Sequence, residues 1–150
     1  MSSLQPFVYD TLILIHVLSF AIWLGLVLAS MIVIKQLESK LTDPNADTAT
    51  FSAILQGYIK GETKFIDYIF PLLLVSGLLL AFFFIGWNYW VFTKIGLVVL
   101  QFAATIGFIF TTVRKITYPC DKATYQKWYI LFGISLSFFL VTLLFVYFGR

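Results

Sequence analysis

The chain has 150 residues, 61% hydrophobic, 19% aromatic and only 11% charged, with a formal net charge of +3 and a mean hydropathy of +0.96. A soluble domain carries about 25% charged residues, and one of this length cannot bury so much apolar surface, so the expected solvent is lipid. A bilayer admits only helices or closed barrels; long unbroken apolar runs, where barrel strands would alternate over about ten residues, predict an all-α integral membrane bundle of four transmembrane helices forming one domain.

The first span is expected at about residues 9–34. It has Asp10 near its start and no basic region before it, and its apolar run is too long for a signal peptide, so it reads as a membrane helix. A long polar connection follows, residues 35–64, with a turn signal at Thr42-Asp43-Pro44-Asn45. Within it, residues 48–59 can form a short surface helix with Phe51, Ile54, Leu55 and Tyr58 on one face. The second span is expected at 65–85, with Glu62 and Asp67 at its start, where carboxylates favour a helix N-terminus. Pro71 is expected to kink it, just before Ser76-Gly77. A tight hairpin at Gly86-Trp87-Asn88-Tyr89 leads to the third span, 90–113. A third connection, 114–127, contains Pro119 as a helix breaker, and the fourth span is expected at 128–148.

Lys35, Lys40, Lys60 and Lys64 lie in the first connection, and Arg114, Lys115, Lys122 and Lys127 in the third. Only Lys94 and Arg150 lie elsewhere. The positive-inside rule then predicts an inner (cytoplasmic) membrane protein with both basic connections, including 35–64, in the cytoplasm. Both termini and the Trp87–Trp90 hairpin would lie on the periplasmic side. Membrane topology accounts for the basic residues, so no nucleic-acid partner is expected. Cys120 is the single cysteine, which rules out an intrachain disulfide.

Two ionisable residues fall inside the spans, where charge is costly and function is the default hypothesis. His16 is the only histidine. It sits about two turns into the first helix and shares a face with Ser19, Phe20, Trp23, Val27 and Ser30. Such a face suits a haem or another aromatic ligand; equally, a neutral histidine can simply bond a neighbouring helix. Lys94 lies one turn inside the third helix. It either snorkels to the interface or is held as a neutral amine able to ligate haem iron. Both residues lie near the outer ends of their helices, at depths that one ligand could span. Gln101 and Thr105 continue the Lys94 face, either lining the same cavity or bonding between helices. Ala21, Gly25 and Ala29, and likewise Ala103 and Gly107, repeat every four residues. Such small-residue stripes let membrane helices approach closely and point to a homo-oligomer or larger membrane complex.

The segment His16-Val-Leu-Ser-Phe-Ala-Ile-Trp23-Leu-Gly25 resembles the first helix of the HemJ-type protoporphyrinogen IX oxidases. Tyr68-Ile-Phe-Pro71 followed by Ser76-Gly77-Leu-Leu is similar to that family's second helix, and Trp90-Val-Phe-Thr-Lys94-Ile-Gly-Leu to the start of its third. The resemblance implies haem b as cofactor, with His16 and Lys94 as iron ligands and Phe20 and Trp23 packed on the ring. It implies oxidation of a tetrapyrrole, protoporphyrinogen IX, to protoporphyrin IX, with electrons leaving through haem to a quinone. The chain departs from the family at Ala29–Lys35, where a Pro-Arg pair is usual, and at Tyr129–Ile134, where Asn-Glu-x-Pro is common. CopD-type domains share the His-x6-Trp-x-Gly pattern. The alternative expectation is a non-catalytic membrane subunit or scaffold. A metal transporter is disfavoured, since one His, one Cys and two Met are few ligands.

Overall fold

The computed structural model describes residues 4–148; Arg150 lies outside them. Four helices run in order: α1 (Leu4–Leu41), α2 (Thr48–Leu80), α3 (Tyr89–Thr111) and α4 (Lys122–Phe148). A π-helical turn, Ala81–Ile85, extends α2, and a 3-10 turn, Val113–Lys115, follows α3. No strand occurs among the described residues. All four helices are long and apolar enough to cross a membrane. Their outward faces carry Leu14, Leu18, Ile32, Leu72, Leu100 and Leu140, side chains that only lipid solvates well. The chain is an all-α, multi-pass membrane bundle.

Several boundaries differ from the sequence-based expectation: α1 begins at Leu4 rather than near 9, and α4 at Lys122 rather than near 128, which shortens the third connection. The connection read as residues 35–64 contracts to 42–47, because α1 runs on to Leu41 and α2 already begins at Thr48. Lys35, Gln36, Leu37 and Glu38 are good helix formers, and Lys35 Nζ pairs with Glu38 Oε2 at 2.7 Å. Only the Asp43-Pro44-Asn45 turn interrupts the helix, with Asp43 Oδ1 accepting from Asn45 N at 2.9 Å. Asp47 then caps α2, accepting from Thr50 N at 3.2 Å. Glu62 and Asp67 therefore sit well inside α2, and neither is its N-terminal carboxylate. α1 has 38 residues and α2 has 33, against about 20 needed to cross the hydrocarbon. Both protrude at the end that carries the basic residues, here called the basic end.

The opposite end closes through Gly86, whose φ of +80° suits only glycine. Asn88 follows and caps α3 by accepting from Val91 N at 3.0 Å. α1 packs along α2, α3 pairs with α4, and α4 leans back on α1. A layer of aromatic rings joins the two pairs. Trp23 meets Phe139 at 4.9 Å and Phe70 at 5.6 Å between centroids, and Phe70 stacks on Phe102 at 4.0 Å. At the basic end Tyr125 Oη donates to the Ile34 carbonyl and Tyr129 Oη to Glu38 Oε2 at 2.8 Å. These bonds tie α4 to the protruding turn of α1. Ala21, Gly25, Ala29, Ala103 and Gly107 all face outward.

Candidate functional site

His16 leaves α1 toward α2 and is half-buried. Its Nδ1 lies 3.0 Å from the Leu73 carbonyl oxygen and 3.2 Å from Ser76 Oγ. A carbonyl can only accept, so Nδ1 carries the proton. Ser76 Oγ spends its own hydrogen on the Leu72 carbonyl, 2.6 Å away, and is free to accept as well. In the neutral ring Nε2 then keeps its lone pair, and no hydrogen-bond partner for it exists among the described residues. Metal-binding histidines are commonly held this way, the second nitrogen donating to a carbonyl that sets tautomer and orientation.

Gly77 makes that seat. A Cβ there would stand 2.9 Å from His16 Cε1 and 3.3 Å from Nδ1, so any larger residue drives the ring off α2. Pro71 lies inside the same helix, and the π-helical turn at Ala81–Ile85 shifts the residues beyond it.

The imidazole lines a cavity of about 660 Å³ built from all four helices at the hairpin end. This falls within the range of about 300–1,000 Å³ usual for small-molecule and cofactor sites. Phe20 from α1, Leu73 and Gly77 from α2, Lys94 and Val98 from α3 and Thr142 from α4 also line it. No acidic side chain does. Lys94 has no hydrogen bond or ion pair among the described residues, and Thr142 Oγ1 is enclosed without a partner. The arrangement offers one imidazole nitrogen, one amine, one hydroxyl and the Asn88 side-chain amide inside mostly apolar walls.

Of the five residues expected at a ligand site, the structure brings His16, Lys94 and Phe20 to this cavity. Trp23 and Gln101 lie one layer deeper. Trp23 is buried among Phe70 and Phe139. Gln101 is fully enclosed between α3 and α4, with Nε2 only weakly placed at 3.5 Å from the Ser135 carbonyl and Oε1 unpartnered. Two residues of the site carry no chemical signal of their own. Thr142 reads as one more polar residue of an apolar helix, and Gly77 only as the end of a Pro-x5-Gly pattern.

Beyond the aromatic layer, toward the basic end, lies a second cavity of about 100 Å³. Ser30, Tyr58, Glu62, Thr63, Thr105 and Ser135 supply its polar lining. Ser30 Oγ and Tyr58 Oη are 3.1 Å apart.

Among the described residues, no three His, Cys, Asp or Glu side chains group to hold a bare metal ion. A metal carried in a macrocycle needs only a donor atom or two from the protein, and the larger cavity presents the His16 imidazole and the Lys94 amine. Comparison with family models, with curated proteins and with solved structures finds no match to this chain.

Proposed function

We propose that the protein binds haem b in the larger cavity and works as a membrane redox protein of the HemJ type. The observation that carries this reading is the His16 imidazole, its Nδ1 tied to Leu73 and Ser76 and its Nε2 left free in an apolar chamber that also holds Lys94. His16 would hold the group's iron through Nε2. Lys94, with no acidic neighbour in the cavity, would supply the second ligand nitrogen. Phe20 and the aliphatic walls would cover the ring and keep water out.

Haem supplies reversible one-electron chemistry when bound. The activity implied by the resemblance is removal of six electrons and six protons from protoporphyrinogen IX, with a quinone taking the electrons. The chain's own part is to hold the ligand nitrogens, to exclude water and to receive protons. The basic end would face the cytoplasm of a bacterial inner membrane, placing the larger cavity in the periplasmic half.

The test is an optical spectrum of detergent-purified wild type and His16→Ala, oxidised and reduced. A Soret band with reducible α/β bands in wild type, lost in the variant, is the expected result. A wild type that stays colourless after haem is added overturns the reading. In that case the second reading, a non-catalytic membrane subunit, takes its place. The outward small-residue faces of α1 and α3 favour that reading, and it requires co-purification with a membrane partner or a second copy.

A further inference from the structure

Among the described residues, the enclosed oxygens that lack partners are Gln101 Oε1, Thr105 Oγ1 and Thr142 Oγ1, on α3 and α4. Thr142 faces the larger cavity and Thr105 the smaller one. Gln101 stands between them, one turn from Val98, which lines the larger cavity, and one turn from Thr105. Each unpaired buried polar group is destabilising, and no water in the hydrocarbon offsets it. Three in line are hard to account for as packing residues. They suit a path along which water and protons move.

The smaller cavity supplies the rest of such a path. Its volume of about 100 Å³ compares with the roughly 10–15 Å³ that one water requires. The carboxyl group at its edge is Glu62. That residue lies on α2 just below the expected start of the hydrocarbon at residue 65, and it is only half-buried, so it reaches water at the basic end. Around it stand Tyr58 on its own helix, Ser30 on α1, Thr105 on α3 and Ser135 on α4. No Lys or Arg lines the cavity; Lys60 and Lys64 are exposed. No ion pair therefore locks the carboxylate.

We infer that Glu62, the hydroxyl-lined cavity above it and Gln101 form a proton-transfer route from the basic end of the bundle to the larger cavity, whose lining reaches the exposed hairpin residues Asn88 and Trp90 on the opposite side. An excess proton on water at the basic end adds to the Glu62 carboxylate and gives the neutral acid. The acid releases a proton to a hydroxyl or water inside and returns to carboxylate. Ser30, Tyr58 and Thr105 each accept one proton and pass on another. Gln101 carries the hydrogen-bonded file across the aromatic layer. One proton enters for each that leaves, in either direction, and no electrons are involved. The route goes beyond the haem reading and stands without it.

The full chain is reconstituted in liposomes containing a pH-sensitive dye, and a potassium diffusion potential drives proton uptake. Wild-type vesicles are expected to take up protons faster than protein-free vesicles. Glu62→Gln and Gln101→Leu should each return to the protein-free rate. Asp67→Asn, an exposed carboxylate on the same helix outside both cavities, should keep the wild-type rate. Circular dichroism and a single symmetric elution peak show that each variant is folded. A wild-type rate equal to that of protein-free vesicles, or full uptake by a folded Glu62→Gln, overturns the route. The spectrum of the same preparations reports haem separately, and Glu62→Gln should leave it unchanged.

Discussion

Replacing Gly77 with alanine tests how His16 is held. The added methyl would stand 2.9 Å from His16 Cε1, and ordinary contact begins at 3.4 Å, so the ring must retreat by at least the difference, about 0.5 Å. Leu73 and Ser76 lie on the same helix as Gly77, so a retreat from the methyl also draws Nδ1 away from them. The Nδ1···O distance of 3.0 Å would then approach about 3.5 Å, beyond the usual hydrogen-bond range. The lost bond is worth about 0.5–1.5 kcal/mol and the overpacking costs about 1–3 kcal/mol. Loss of such supporting contacts lowers metal affinity by roughly 10–100-fold. The chain has a single histidine, so nitrogen-15 spectra of histidine-labelled protein report this site alone. Wild type should show the Nδ1–H tautomer, and Gly77→Ala should shift that signal and weaken haem binding in a spectral titration by about tenfold or more. A folded Gly77→Ala protein with an unchanged histidine signal and unchanged haem affinity refutes the seat described here.

Phe139 is 1% exposed and meets both Phe20 and Trp23 edge to face. Phe139→Ala should cost about 3–5 kcal/mol, read as a lower Tm in detergent, while Phe139→Leu should lose less. Asp47→Ala removes the cap of α2 and should cost about 1 kcal/mol, visible as faster amide exchange over residues 48–51 with the spectrum of the site unchanged. Cys120 lies at the basic end, in the connection before α4. Partial burial, and then the neighbouring Asp121 charge, push its thiol above the ordinary cysteine value. A raised pKa means less thiolate at neutral pH. A membrane-impermeant maleimide should therefore label Cys120 slowly, faster as pH rises, and in inverted vesicles but not in intact cells. Labelling in intact cells reverses the proposed orientation.

The site reaches the reader of the sequence only in part, for physical reasons that differ by residue. His16 and Lys94 stand out because an ionisable group inside an apolar run is costly wherever the helix packs. Gln101 stands out because it continues the Lys94 face at helical spacing, yet it proves to be enclosed one layer away from the larger cavity. A position on a helix face does not specify depth against three neighbours. Trp23 shares the face of His16 but lies in that same deeper layer, where its ring is taken up by Phe70 and Phe139. Glu62 reads as a helix-start carboxylate as long as the helix is thought to start beside it. Once Asp47 is seen to cap α2, Glu62 becomes an interior residue at the edge of a cavity.

Composition and hydrophobic run length determined, without any coordinates, that the chain is helical, spans the membrane and crosses it four times. These follow from the cost of unpaired backbone groups in lipid, which each segment must settle within itself. Where the helices end in water, and what faces what, was decided only by tertiary structure. Lipid solvates every apolar face equally well, so the apolar pattern carries little information about which side of a helix turns inward. The meeting of His16 with Gly77, and of Glu62 with Ser30 and Thr105, depends on close packing between helices that are distant in the chain.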